Sequence, residues 1–580
     1  MKRFIIVLVL SVILLLAGCM NNNIQKNTQQ PEDIVTAIDK DAEIMSNVVI
    51  VGYKDGYKQD VVDMIKSIDE NATVRVDFKL DQTNVISFST SIDYSAMREK
   101  IINRLKNDET LKEKINYVEP SYKRYLIEPI TNDSWKDSEI ASKAKITYVD
   151  QQEEFFEKYM WGIRKVKAPE AWELGYTGKG VIVAVVDTGV DGTHPDLQGQ
   201  LVTGYRPLTD ELLDPDMDSS FGGAHGTHVA GTIAASDNSI GVVGVAPDAK
   251  IMPIVIFDTG AATPTGEDGG YIGDDYVAAG FLWAFENGAR VFSNSWGGKG
   301  YSITLAYTIA EIMYFGGIVV ASAGNSHTDE IHYPSCYPGV INVAASTAVD
   351  GITQFSTRGR WVTVAAPGDY TILSTVPLWD TEEFFDGENP YALYGGTSMA
   401  TPHVSGVIAL LLEKLGPSET GGKSKVAIEL TYTPYQIRKH IAATADDIMA
   451  PGFDHDSGWG RVNAEKALTQ DLPSDAGANV YFSFYLKDIE EEVFYAPEVY
   501  VTMYPQDETV PVYYGKSNHY GELPIVGIEP GTYDVYMAFG DAAYLDLPVS
   551  LQVTKYMRIT VTNGDNPFTH VFELSFDLDY

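Results

Sequence analysis

The chain predicts an α/β domain built on a buried parallel sheet, with an α+β unit before it and a β-sandwich after it. Three observations point to this order. Val181-Ile182-Val183-Ala184-Val185-Val186 and Ile318-Val319-Val320 are near-continuous apolar runs of strand length, the kind that a parallel sheet buries on both faces. Strand-like and helix-like runs alternate between Asn47 and Pro120. Beyond Leu472, short aromatic and β-branched runs are separated by Gly, Pro and Asp turns.

From the N-terminus, Lys2-Arg3 precedes an apolar stretch from Phe4 to Ala17 that is too short to span a bilayer comfortably, and Leu16-Ala17-Gly18-Cys19 closes it. That last word resembles a bacterial lipobox. It implies residues 1–19 as a lipoprotein leader, cut before Cys19, whose thiol then carries diacylglycerol and holds the chain to a membrane. The alternative is an ordinary secretory peptide with an incidental cysteine. Cys336 is the other cysteine, so once Cys19 is lipidated no intrachain disulfide is available. A polar tether, 20–46, follows. In the unit 47–120, Val48-Val49-Ile50-Val51 and Val85-Ile86-Ser87-Phe88 read as strands, and Asp60 to Ile68 and Tyr94 to Leu105 as helices. Residues 121–158 are long and polar, the character of a linker.

Four words between 159 and 470 carry chemistry. Val181 to Val186 delivers Asp187 into the turn Thr188-Gly189-Val190, at the strand end where ligands bind in open α/β sheets. His225-Gly226-Thr227-His228 opens a small-residue helical stretch and supplies a candidate base, although two histidines three residues apart cannot be separated by sequence. The run from Ile318 ends in Asn325, an amide able to donate to an oxyanion. Gly395-Gly396-Thr397-Ser398 sets a hydroxyl between a glycine turn and an apolar helical run, where free backbone N–H groups and the helix dipole favour developing negative charge. Asp, His, Asn and Ser are the chemical types that acyl transfer needs.

The order and the words Val-Val-Asp-Thr-Gly-Val, His-Gly-Thr-His-Val-Ala-Gly, Ser-Ala-Gly-Asn and Gly-Thr-Ser-Met-Ala-Thr-Pro-His-Val resemble the subtilisin-like serine proteases, the subtilases. The resemblance implies a doubly wound, mostly parallel α/β domain and a serine endopeptidase acting on polypeptides. Ser398 is then the nucleophile, His225 the general base, Asp187 its orienting partner and Asn325 an oxyanion donor. His194, His228 and His403 remain structural, since one site needs one base. The unit 47–120, ending Tyr117-Val118-Glu119-Pro120, is similar in pattern to the family's inhibitory propeptide, with self-cleavage falling somewhere in Ser121 to Lys158.

The resemblance also implies a substrate-binding edge at Ser295, Trp296 and Gly297, facing Ala323 and Gly324, on which an extended substrate pairs through its backbone. Trp296 walls the side-chain pockets in that reading. Alignment on Tyr333-Pro334 places His332 where many relatives have glycine at the base of the S1 pocket, which opens the question of the P1 residue. An inserted loop from Asp258 to Asp275 carries Glu267, Asp268, Asp274 and Asp275 beside the segment that borders S4. It is either simply solvated or a source of preference for basic residues at P4 or P2. Calcium is the implied cofactor, structural in role. Its ligands are Asp196, the side chain of Asn238, the carbonyls of Ser236, Ile240 and Val242, and Glu157 near the N-terminus of the domain, a hard-oxygen set. A second family site is not claimed, because Thr363 replaces its usual acid.

The last segment, 476–580, reads as a β-sandwich from Val480-Tyr481-Phe482-Ser483-Phe484, Val499-Tyr500-Val501-Thr502-Met503, Tyr533-Asp534-Val535-Tyr536-Met537 and Met557-Arg558-Ile559-Thr560-Val561. Leu523 to Val535 resembles transthyretin-like or carboxypeptidase-regulatory-like modules, and the segment's acidic balance favours a spacer or stabilising role over substrate or surface binding. With 80 acidic against 42 basic residues in 580, net charge −38, phosphate backbones are repelled and nucleic acid is excluded as a partner. The expected partners are polypeptide substrates, the chain's own propeptide and a membrane through Cys19. Location is outside the cell or on its envelope. The competing reading is a catalytically dead protease scaffold used for surface binding.

Overall fold

The computed structural model describes residues 42–127, 129, 156, 159–259, 270–381, 389–416, 431–487, 493–496, 499–506, 508, 511–518, 521–539 and 555–573, apart from position 82. The leader with Cys19, most of the tether, Glu157, Glu267 and Asp268 lie outside the described residues.

The N-terminal unit runs β1 (Ile44–Tyr53), α1 (Lys58–Ile68), β2 (Thr73–Lys79), β3 (Asn84–Ser89), α2 (Tyr94–Lys106) and β4 (Ile115–Tyr122), with antiparallel sheet order β2-β3-β1-β4. The four sequence-predicted elements all fall inside these spans. Alternate residues of a strand face opposite sides, so the unbroken run Val48 to Val51 must be covered twice. Val49 and Val51 pack on α1 and α2, while Val48 and Ile50 join Val85 and Tyr117 in a cluster shared with the central domain. Asp93 starts α2 by accepting from the Ala96 N–H at 3.0 Å, an N-cap.

The central domain holds an eight-stranded sheet. Its strands are β6 (Ile182–Asp187), β7 (Gly204–Arg206), β8 (Glu211–Leu213), β9 (Lys250–Val255), β10 (Val291–Asn294), β12 (Ile318–Ser322), β13 (Ile341–Ser346) and β14 (Val364–Pro367). The order is β14-β13-β12-β10-β6-β9-β7-β8, parallel except for the last pair. Within β6, Val183 and Val185 belong to one core cluster and Ala184 and Val186 to another, which is why the run is apolar throughout. Helices α3 (His225–Ala234) and α6 (Thr397–Leu415) pack in the first cluster; α4 (Asp274–Glu286) and α5 (Ile303–Tyr314) pack in the second. A sheet covered on both faces is the doubly wound plan. A hairpin of β15 (Ile372–Thr375) and β16 (Tyr391–Tyr394) lies against α3.

The C-terminal unit is a sandwich of two four-stranded sheets. One contains β17 (Ala478–Lys487), β18 (Val493–Tyr495), β21 (Glu522–Ile528) and β24 (Gly564–Glu573); the other has the order β20 (Tyr513–Lys516), β19 (Val499–Pro505), β22 (Gly531–Phe539), β23 (Lys555–Val561). Along β17 burial alternates strictly, and Val480, Phe482, Phe484 and Leu486 enter the core between the sheets. Among the described residues no helix is long and apolar enough to cross a membrane.

Candidate active site

Asp187 ends β6 and His225 begins α3, so one comes from a strand's carboxyl end and the other from a helix start. The His225 Nδ1 lies 2.8 Å from Asp187 Oδ1 and 3.0 Å from Oδ2. Both residues are buried. The Thr188 N–H donates to the same Asp187 Oδ1 at 2.8 Å, fixing the carboxylate. A carboxylate on Nδ1 holds the proton there and turns Nε2 into the basic nitrogen.

Ser398 is the second residue of α6, after Gly396 at φ +147°. A side chain at Gly396 would stand 3.1 Å from Asn325 Nδ2 in a conformation that L residues rarely adopt, so glycine is required there. The Asn325 Oδ1 accepts from both the N–H and the hydroxyl of Thr397, each at 3.0 Å, and the Thr397 hydroxyl accepts from the Gly324 N–H at 3.1 Å. With its oxygen held this way, the Asn325 amide nitrogen is aimed to the other side, the side of Gly396.

Ser398 is fully buried because a piece of the N-terminal unit covers it. After β4 the chain forms β5 (Tyr125–Leu126), which pairs antiparallel with β11 (Trp296–Gly297), Leu126 opposite Trp296 and Tyr125 opposite Gly297. The Ser398 hydroxyl then donates to the carbonyl of Ile127 at 2.8 Å and to that of Ser295 at 3.1 Å. Ser295 returns a bond from its own hydroxyl to the Ser398 carbonyl at 2.9 Å. A Cβ on Gly297 would stand 3.7 Å from both Ile127 Cδ1 and His332 Cβ, so Ile127 and His332 both border that glycine. His332 Nδ1 comes within 3.0 Å of where a Gly324 Cβ would stand, which puts His332 against Gly324. Behind it, the His332 Nε2 is 3.6 Å from Glu330, itself paired with Lys299 at 3.3 Å. Trp296 offers its backbone to the tail; its ring is fully buried and lies 6.3 Å from Tyr271.

Away from this cleft, the buried Asp196 carboxylate accepts from Asn238 Nδ2 at 3.1 Å, the Val242 N–H at 2.9 Å and the Tyr391 hydroxyl at 3.0 Å, and its carbonyl accepts from the Ser236 N–H. Burial pushes its pKa up to about 7 against those three donors. The loop Ser236 to Val242 therefore wraps one costly buried carboxylate, and its carbonyls of Ser236, Ile240 and Val242 are hard oxygen donors of the kind Ca²⁺ takes.

Comparison with known proteins bears on this geometry. The subtilase family profile, Peptidase S8, matches residues 178–460. Fervidolysin of Fervidobacterium pennivorans is 39% identical over 93% of this chain and 76% of its own. The chain belongs to the subtilase family. Thermitase of Thermoactinomyces vulgaris is 37% identical over 54% of this chain and 97% of thermitase. The crystal structure of fervidolysin, described as a keratinolytic enzyme related to subtilisin, superposes with a TM-score of 0.73 at 37% identity, covering 92% of this subtilase and 79% of that chain. The subtilase described here is accordingly a serine endopeptidase of the subtilisin type, and nothing supports a dead scaffold.

The three histidines read as structural bond other partners. His228, on the same helix as His225, directs Nε2 to the carbonyls of Ile372 and Ala392 and stacks on Tyr394; burial lowers its pKa to about 3. His194 and His403 are each lowered to about 4 by burial and bond backbone carbonyls of Pro390 and Met399. Three site features escaped the sequence reading. Thr397, which orients Asn325, had a signal in its place directly before Ser398. The tail Arg124 to Ile127 had none, since β5 is two residues long. Asp274 and Asp275 are fully buried, so the solvated reading of the acidic loop fails for that pair. They bind Arg124 and Arg75 of the N-terminal unit.

Proposed function

We propose that this serine endopeptidase is made as an exported precursor whose first substrate is the peptide bond between Ile127 and Glu128. Ser398 Oγ adds to the Ile127 carbonyl carbon as its proton passes to His225 Nε2, and Asp187 stabilises the resulting imidazolium. The tetrahedral oxyanion is held by the Asn325 amide and the Ser398 N–H at the start of α6; one such donor contributes about 2.7–4 kcal/mol to transition-state stabilisation. Collapse expels the Glu128 amine, which takes the proton from His225, and water then releases Ile127 as a carboxylate. The same steps act on other polypeptides laid along Trp296–Gly297.

The observation that carries this reading is the 2.8 Å contact between the Ser398 hydroxyl and the Ile127 carbonyl, at the end of a strand paired with the substrate edge. Residues 47–120 are then an inhibitory propeptide that leaves its tail in the cleft. His332, beside Ile127, shapes the S1 pocket for an aliphatic P1 residue. A Ca²⁺ ion held by Asp196, Asn238 and the carbonyls of Ser236, Ile240 and Val242, with Glu157 as a further ligand, would cross-link the loop and relieve the buried charge. Lipid on Cys19 makes the precursor an envelope protein, and cutting after Ile127 frees the catalytic part from that anchor unless the cut propeptide stays bound.

Expression of the full chain tests this reading. Wild type yields a fragment whose N-terminus is Glu128 and which a fluorophosphonate labels, whereas Ser398→Ala remains a single unlabelled chain. Processing of the alanine variant at the same rate would sink the assignment. Immunoblots of membrane and soluble fractions, with separate propeptide and catalytic-domain antibodies, report on the anchor.

A further inference from the structure

Arg124 lies three residues before Ile127 and is fully enclosed, whereas Ile127 is 8% exposed and Tyr125 between them 41% exposed. Its guanidinium makes a two-pronged contact with Asp274, Nε to Oδ1 and Nη2 to Oδ2, both at 2.9 Å. The Nη1 donates to the carbonyls of Lys299 at 2.9 Å and Gly300 at 3.0 Å. Four N–H directions of one planar group are thus met by fixed acceptors. That pattern suits arginine and not lysine, whose ammonium is a single point of charge.

The acceptors all belong to the catalytic domain. Asp274 is the first residue of α4, and Tyr271 donates to its Oδ1 at 2.6 Å. Lys299 and Gly300 follow one residue after β11, the edge with which the tail pairs. Asp275, by contrast, is occupied by Arg75 and Ser87 from the sheet of the N-terminal unit and takes no part. Once the tail departs, a carboxylate in this position faces the place where a substrate side chain four residues from the cut would enter.

We propose that Asp274 and the carbonyls of Lys299 and Gly300 form an arginine-selecting S4 subsite in the mature enzyme, so that its substrates are extended polypeptides carrying Arg at P4 and an aliphatic residue at P1. The subsite reads position through the bidentate pair and rejects uncharged side chains because they leave the carboxylate buried without a counter-charge. This rests on the reading that Ser398 attacks the Ile127 carbonyl.

The test uses the processed enzyme and internally quenched peptides containing Arg-Tyr-Leu-Ile-Glu, with Arg replaced by Lys, Ala or Phe. Arg at P4 should exceed Ala in kcat/KM by about a hundredfold, with Lys between them. Asp274→Asn should bring the Arg-to-Ala ratio towards one. Because that substitution leaves Arg124 unpaired in the precursor, it is made together with Arg124→Gln, and the wild-type ratio stands as an independent measurement. Equal rates for all four peptides, with cutting confirmed by mass spectrometry at the Ile-Glu bond, overturn the S4 assignment and leave the scissile-bond reading intact. Cutting elsewhere in the peptide, or by the Ser398→Ala chain, overturns that underlying reading instead.

Discussion

The catalytic domain carries two neighbours on one face, and it holds them differently. The N-terminal unit and the sandwich both press apolar residues into the cluster around α4 and α5: Val48, Ile50 and Tyr117 from the first, Tyr500, Tyr514 and Val526 from the second. Their margins differ. The N-terminal unit is fastened by buried charge, Arg124 to Asp274 and Arg75 to Asp275, and by Glu119 at the start of α5. Glu119 accepts from the N–H groups of Ile303 and Thr304, each at 2.7 Å, and from the Ser302 hydroxyl at 3.2 Å. Towards its other end the same helix meets the sandwich through Met313 beside Val526 and a neutral bond from the Tyr307 hydroxyl to the Glu522 carbonyl at 2.8 Å. Ion pairs to the sandwich, such as Arg360 to Glu508 and Lys439 to Glu529, lie at partly exposed sites and contribute little. Buried charge fixes register sharply yet adds little net stability, because desolvation offsets the attraction. That suits the proposed role of the N-terminal unit, to seat a carbonyl on Ser398 and be released after cleavage, whereas an apolar seam suits a permanent neighbour.

The largest expected effect comes from breaking a charged margin. In the unprocessed Ser398→Ala chain, Asp274→Ala strands Arg124 in a buried site and should cost about 3–5 kcal/mol, read as faster amide exchange through β4 and β5. Replacing both residues, Asp274→Ala with Arg124→Met, should recover most of that loss. If the double variant is as weak as the single, the margin is held by something other than the pair.

Next is the apolar seam. Met313, 1% exposed, packs where the sandwich meets α5, and Met313→Ala should cost about 2–4 kcal/mol through the cavity it leaves. The loss should appear in urea unfolding of the processed enzyme and be insensitive to salt. A marked salt dependence would erase the distinction drawn between the two margins.

How much of this was legible in the sequence depends on how local the signal is. Asp187, His225, Asn325 and Ser398 sit in words whose glycines and apolar runs encode their own strand ends and helix starts. The strands Val48 to Val51 and Val85 to Phe88 announce themselves by composition. Choosing His225 over His228 rested on the family resemblance, since nothing local in the sequence shows which ring lies 2.8 Å from Asp187. The fate of Asp274 was hidden for the same reason: an acid in a loop looks solvated until its arginine arrives from 150 positions upstream. Two-residue β5 has no periodicity to detect, so the proposed site of self-cleavage could be bounded only to the stretch from Ser121 to Lys158.

The smallest effect separates the margins by pH. Burial pushes the Glu119 carboxyl up to about 7, while the Lys516 ammonium of the sandwich and the Ile303 and Thr304 amides pull it back; Tyr117, Tyr307 and Tyr337 are the other titratable groups around it. Lys516 also donates to the Tyr122 hydroxyl at 3.3 Å, so the sandwich touches the N-terminal unit just where the charge is buried. A carboxyl whose pKa is higher when docked than when free favours docking most when protonated. The contribution is complete below the ordinary carboxyl value of about 4.3 and is lost as pH rises through about 7. Amide exchange in β4 of the Ser398→Ala chain should therefore quicken across that window and level off above it. Glu119→Gln cannot titrate and should flatten the slope while weakening the α5 cap by about 1 kcal/mol. Met313 itself carries no titratable group, and stability lost through Met313→Ala should be the same at both ends of the window. An undiminished slope in Glu119→Gln would move the pH dependence to another group and leave the charged margin with no sensor at this helix end.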